Sequence, residues 1–127
     1  VVPVNPMNRT EELKHYILDP DTKVAVTTAD LAPELAAASN ALEKTQRLQH
    51  LLVTQFTDVF DATNIGPEEL PETWSAWLKT VHALPMLEDG QVHAWVSALQ
   101  GEVALGPVTA QSEDLAVLNS PIQATLI

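Results

Sequence analysis

Histidine is the residue type in this sequence best suited to metal binding or proton transfer near neutral pH. Four histidines occur, at His15, His50, His82 and His93. None of them has a second histidine or a carboxylate at the spacing of a zinc-binding motif. We therefore expect each to be a surface histidine or a satisfied core histidine, and not a metal ligand or a catalytic base.

One segment partly matches a calcium-binding loop. Asp61, Gly66 and Glu72 stand at the first, sixth and twelfth positions of such a loop. The third and fifth positions are Thr63 and Ile65, and isoleucine has no side-chain oxygen. Because Ca²⁺ takes at least about six oxygen ligands, we reject a calcium site here.

Three acidic pairs are neighbours in the sequence, and adjacent helix residues point in different directions. A general acid and its base must converge in one pocket, so we interpret these pairs as solvated carboxylates. The pairs are Glu11 with Glu12, Glu68 with Glu69, and Glu88 with Asp89.

The remaining residue types also give no candidate, so we predict no catalytic, cofactor-binding or metal-binding residue in this chain. Trp74, Trp77 and Trp95 could line an apolar ligand pocket, but we interpret them as side chains that pack helices onto a core. The four glycines fit neither common phosphate-binding pattern. No serine or cysteine stands in a nucleophile elbow.

The first 56 residues predict a β-α-β-α-β unit with a parallel sheet. The three predicted strands are the apolar runs VVPVN at 1–5, KVAVTT at 23–28 and HLLVTQF at 50–56. Because Pro3 and Pro6 lack an N–H group, the first strand is expected at a sheet edge.

Two helices are predicted between these strands. Asn8 should cap the first helix with Glu11 reaching back, and Asp30 should cap the second. Pro20 should end the first helix. The predicted apolar faces are Leu13, Tyr16 and Ile17 on the first helix, and Leu31, Leu35, Ala38 and Leu42 on the second. The small residues at 36–39 should let the second helix approach the sheet closely.

The second part of the chain has a different character. We interpret 57–111 as a variable segment of loops with short helices at 72–84 and 91–99, followed by a strand within 112–118 and an unmatched tail at 119–127. Together, 1–127 are interpreted as one partial domain. The fold class expected is α/β, a three-layer or partial Rossmann-like or flavodoxin-like parallel sheet with covering helices.

Charge and composition exclude several classes of function. The net charge of −11 argues against nucleic acid and against an anionic membrane surface as partners. The charge is uneven, at −2 for 1–56 and −9 for 57–127. No apolar run is long enough to cross a membrane, and the chain has no cysteine.

Two stretches resemble the N-terminal domain of the AMP-forming acyl-CoA synthetases, the adenylate-forming ligase superfamily, of the long-chain fatty acid–CoA ligase type. The first is VVPVNPMNRTEELKHYILDPDTKVAVTT, which is similar to the family's successive patterns at PVNP (3–6), at Glu12 and Leu13, and at Asp21, Lys23 and Val24. The second is SEDLAVL at 112–118, similar to the strand that precedes the family's phosphate-binding loop. HLLVTQF is similar to an intervening strand.

The resemblance implies an enzyme that activates a fatty or related carboxylic acid with ATP and Mg²⁺ and transfers the acyl group to CoA in the cytoplasm. The family's Ser/Thr/Gly-rich loop and its lysine should follow Leu118, but this chain continues NSPIQATLI. We therefore expect a scaffold fragment that is inactive alone, and that self-associates through apolar surface covered in the whole enzyme. The alternative is a non-catalytic α/β interaction module whose acidic half, 57–127, docks a partner.

Overall fold

The computed structural model describes residues 1–58, 72–101, 106–107 and 109–118. In these ranges the chain forms four helices and three strands. In chain order they are α1 (Thr10–Leu18), β1 (Val24–Thr28), α2 (Ala32–Asn40), β2 (His50–Thr54), α3 (Glu72–Leu78), β3 (Gln91–Ala94) and α4 (Trp95–Leu99), with short 3-10 turns at Lys44–Gln46 and Phe56–Asp58. The predictions for the calcium-like residues at 61–71 and for the tail at 119–127 lie outside the described residues.

The three strands form one parallel sheet in the order β1-β2-β3. The first pair runs from Val24 opposite His50 to Thr28 opposite Thr54. The second pair runs from His50 opposite Gln91 to Val53 opposite Ala94. A small α/β domain with a partial parallel sheet is therefore confirmed as the fold class.

Helix α1 ends as predicted but begins one residue later than predicted. Asn8 donates its N–H to the Asn5 carbonyl at 3.0 Å and so closes a turn instead of capping. Arg9 is the N-cap, and its N–H donates to the Glu12 carboxylate at 2.9 Å. The capping role given to Asn8 and Glu11 was wrong because this turn moves the helix start by one position.

Beyond Leu18, the last residue of α1, the chain turns sharply towards β1. Asp21 adopts a left-handed conformation with φ of 50°, and the Thr22 hydroxyl donates to the Tyr16 carbonyl at 2.9 Å. Leu13, Tyr16 and Ile17 are buried, as predicted. The end of the helix and its apolar face follow directly from Pro20 and the residue spacing.

Helix α2 packs through its small residues. Its N-cap is Leu31 with no side-chain cap, so the prediction of Asp30 as the cap was wrong; Pro33 in the first turn supplies a helical φ angle without needing a donor. Ala32, Ala36 and Ala38 are buried, as the expected close approach of this helix requires. Of the predicted stripe, Ala38 and Leu42 are buried while Leu31 and Leu35 are half-buried.

The predicted β-α-β-α-β order for 1–56 is α-β-α-β in the structure, because 1–5 are not a strand. Pro3 and Pro6 remove two N–H groups, which limits sheet pairing there. Among the described residues only Val1 makes such a pair: its nitrogen donates to the Ala116 carbonyl at 2.8 Å, and its carbonyl accepts from the Leu118 N–H at 2.9 Å. The predicted strand at 114–118 is likewise not a regular strand, since this single bridge is its only sheet-like contact among the described residues.

Three predicted elements differ in extent or type. The strand that begins at His50 ends at Thr54 and not at 56 as predicted, because a 3-10 turn follows at Phe56–Asp58. The helix expected at 72–84 ends at Leu78, and the His82 N–H donates to the Gln55 side-chain oxygen at 2.8 Å instead of to a helical carbonyl. The helix expected at 91–99 is strand β3 followed by α4, because pairing with β2 decides the conformation of Gln91–Ala94 against its local preference.

The core lies between α1, α2 and one face of the sheet. Ser39 is fully buried, and its hydroxyl accepts the Leu48 N–H at 3.0 Å, so no buried N–H is left unpaired there. None of the helices in the described ranges has the length and apolarity that crossing a bilayer requires. The core consists of Leu13, Ile17, Ala29, Ala32, Ala36, Ala38, Leu42, Leu48, Leu51, Val53 and Leu87.

Candidate functional site

The two faces of the sheet are very different in burial. Leu51 and Val53 of β2 point into the core and have no exposed surface. On the opposite face, Val24 and Val26 of β1 are 53% and 61% exposed, and Leu52 of β2 is half-buried. Parallel sheets are normally covered on both faces, so this bare apolar face is the unusual surface of the described structure.

Two of the four histidines meet on this bare face. His50 lies at the start of β2 and His93 is the third residue of β3, so both side chains point to the same side of the sheet. His50 Nδ1 and His93 Nε2 are 3.1 Å apart, and the ring centroids are 5.3 Å apart with the planes at 40°. One of these facing nitrogens carries a proton and donates to the other, and both rings are half-buried.

The expectation of surface or satisfied histidines agrees with this pair, since the two rings are hydrogen-bonded to each other, but the sequence did not predict that they would meet. Their spacing in the sequence matches no motif because the contact depends on the register between two strands, one of which was predicted as a helix. The alternation of polar and apolar residues in QVHA at 91–94 is the sequence signal for a strand that was available. The other two histidines remain separate: His15 is exposed on α1, and His82 is half-buried beyond α3.

Arg47 anchors the segment that leads into β3. Its side chain donates to the carboxylates of Glu88, at 2.6 Å, and Asp89, and also to the Asn40 carbonyl at 3.0 Å. Lys44 pairs with Asp89 at 2.9 Å. The hydrogen bond from Lys44 is the largest cause that lowers the pKa of Asp89 below its ordinary value; burial, the next largest, opposes it, and the hydrogen bond from Arg47 lowers the pKa further.

Glu88 and Asp89 are both exposed, as a solvated acidic pair should be, and each also pairs with a cation of the first half of the chain. The sequence did not predict these pairings. The network also fixes the position of Gly90, where an added Cβ would lie 2.6 Å from the Leu48 carbonyl oxygen. Strand β3, and therefore His93, is placed by this close approach.

A second feature is an apolar groove of about 820 Å³ along the free edge of β1. Residues 1–6 form one wall, and Leu13 and Ile17 of α1 contribute to another. Leu115 and Leu118 also line it. Lys23, which lines the groove as well, donates to the Thr45 carbonyl at 2.9 Å and pairs with Asp21 at 2.7 Å. The groove therefore offers an apolar surface, and the one lysine named among its described lining residues is already paired.

The tryptophans do not form the predicted packed set. Trp74 on α3 is 63% exposed, so its interpretation as a core residue was wrong. Trp95 is half-buried at the start of α4, and nothing is described for the side chain of Trp77. Within the described ranges, no group of three or more His, Cys, Asp or Glu side chains could hold a metal ion.

Comparison with known proteins gave no match for this chain, whether against family models, curated proteins or solved structures. The functional argument therefore rests on the sequence and on the described geometry.

Proposed function

We propose that this chain is a scaffold segment of the N-terminal domain of an AMP-forming fatty acid–CoA ligase and has no ligase activity alone. The observation that supports this is a contact between the two stretches that resemble the family. Val1 belongs to the first stretch, and Ala116 and Leu118 to the second. Their two hydrogen bonds, at 2.8 and 2.9 Å, have the pattern of neighbouring parallel strands.

The parallel sheet supports the same proposal. KVAVTT of the first stretch supplies β1, and HLLVT supplies β2 beside it. An open parallel sheet with α1 and α2 packed on one face is a natural part of a larger α/β domain. The exposed valines at 24 and 26 also support the expectation that the separated segment self-associates.

The parent reaction would take place outside this chain. By the resemblance, ATP with Mg²⁺ activates the acid as an acyl-adenylate with release of pyrophosphate, and CoA then takes the acyl group in the cytoplasm. The described residues do not suit a triphosphate: the groove beside β1 is apolar, and Lys23 is already paired with Asp21. We therefore assign no step of the reaction to residues of this chain.

The test compares residues 1–127 with the product of the complete reading frame that contains them. Fatty-acid-dependent ATP–pyrophosphate exchange is expected from the complete product and not from 1–127. A matched control replaces by methionine the lysine of the Ser/Thr/Gly-rich loop expected downstream of Leu118, which should abolish exchange without unfolding the protein.

The proposal fails if the complete frame encodes no such loop, if its product shows no exchange, or if 1–127 alone supports exchange. A frame without the loop would favour the alternative, an interaction module. That alternative would draw on the acids of 57–127, of which Glu88 and Asp89 already pair with Arg47.

A further inference from the structure

The histidine pair on the bare sheet face has the separation of two ligands of one metal ion. Two imidazole nitrogens bound at about 2.0–2.1 Å to a tetrahedral zinc ion lie about 3.3–3.4 Å apart. A right angle between the same two bonds brings them to about 2.9 Å. His50 Nδ1 and His93 Nε2, at 3.1 Å, lie between these two values. We propose that His50 and His93 together bind a divalent transition-metal ion of the zinc, copper or nickel type.

The main chain already places these two ligands. His50 and His93 lie on adjacent strands whose register is fixed by four paired positions. The Arg47 network holds the residues that precede β3, and Gln91 N–H donates to the Gln49 carbonyl at 2.8 Å at its start. Only rotation about the histidine side-chain bonds is needed to direct both lone pairs at one ion, so little backbone order has to be gained on binding.

Binding requires a change of tautomer and not a change of charge on the protein. Without metal, one of the two facing nitrogens carries the proton of the shared hydrogen bond. With metal, both facing nitrogens present lone pairs, and each neutral ring keeps its single proton on its other nitrogen. The metal ion replaces the hydrogen bond as the link between β2 and β3.

The chemistry of the site selects the class of ion. Imidazole suits zinc, copper and nickel, whereas Mg²⁺ and Ca²⁺ prefer oxygen ligands. The net charge of −11 favours the approach of any cation to the protein. With two histidines as the ligands among the described residues, water occupies the remaining positions, and the site is open to a further ligand. This site is independent of the ligase proposal.

The first experiment titrates the untagged full chain with ZnCl₂ and records the histidine ring resonances by NMR. We expect saturable one-to-one binding in which the resonances of His50 and His93 shift together. His93→Gln and His50→Gln should each weaken binding at least about tenfold, since even the loss of a group that only orients a ligand costs that much. His15→Gln is the matched control, because His15 is exposed on α1, and it should bind as the wild type does.

Other outcomes overturn the proposal. Binding that is unchanged in His93→Gln, shifts confined to His15 or His82, or the absence of saturable binding would each leave the pair as a hydrogen bond alone. An equal response to MgCl₂ would show a general attraction of cations to an acidic protein. If a glutamine variant does not fold, the wild-type resonance shifts alone decide which histidines bind.

Discussion

Replacing Gly90 by alanine should separate β3 from β2. A Cβ at this position would lie 2.6 Å from the Leu48 carbonyl oxygen and 2.9 Å from that of Gln49, both just before β2. Gly90 has no positive φ angle, so the problem is steric and not conformational. Since both contacts are with the backbone, no side-chain rotation can relieve them.

The size of the effect follows from these distances. An ordinary contact begins at 3.4 Å, so the strands must separate locally by about 0.8 Å. The hydrogen bond from Gln91 N–H to the Gln49 carbonyl, now 2.8 Å, would then lengthen to about 3.6 Å and be lost. Overpacking and the lost hydrogen bond together should cost about 2–4 kcal/mol of the free energy of unfolding.

Urea denaturation followed by far-UV circular dichroism measures this cost. Gly106→Ala is the matched control, because a Cβ there meets no atom within 4 Å and should change the free energy of unfolding by no more than about 1 kcal/mol, in the stabilising direction. If Gly90→Ala were within about 0.5 kcal/mol of the wild type, the close approach of the two strands would not exist as described.

The remaining predictions concern two buried or paired polar groups. Ser39→Ala leaves the Leu48 N–H without its acceptor and should lower the free energy of unfolding by about 1–3 kcal/mol in the same urea assay. Ser97→Ala, at an exposed position, is the control and should leave the free energy of unfolding unchanged. Equal effects of the two substitutions would contradict the role of the buried hydroxyl. The lowered pKa of Asp89 means that its stabilising contribution is present above the ordinary value of 3.8 and is lost as the pH falls through the lower folded-state pKa. Lys44→Met should therefore raise the pKa of Asp89 towards 3.8 in a carboxyl NMR titration, and an unchanged pKa would remove Lys44 as its cause.

Local sequence patterns located α1, β1 and β2 in the first half of the fold, although they also predicted a strand at 1–5 that does not form. Pro20 marked the end of α1, the spacing of Leu13 and Ile17 marked its buried face, and the valine-rich runs marked β1 and β2. These features depend on residues close together in the chain. The caps were less predictable, because the turn that uses Asn8 changes which residue precedes the helix.

The candidate metal site could not be predicted for a related reason. QVHA at 91–94 has no local preference strong enough to mark it as a strand, and it becomes β3 because β2 is beside it and Gly90 allows the approach. Since His93 was assigned to a helix, its meeting with His50 required a long-range register that no local pattern contains.

The bare face of the sheet is a consequence of how the chain winds. Strand order equals chain order, so both connections between strands advance in the same direction. Such connections are right-handed in about 98% of cases. Helix α2, in the first connection, packs on the side of Leu51 and Val53 and therefore leaves Val24 and Val26 uncovered. By the same rule, a right-handed connection that runs in the opposite direction, to a strand beyond β1, would pass over the side of Val24 and Val26.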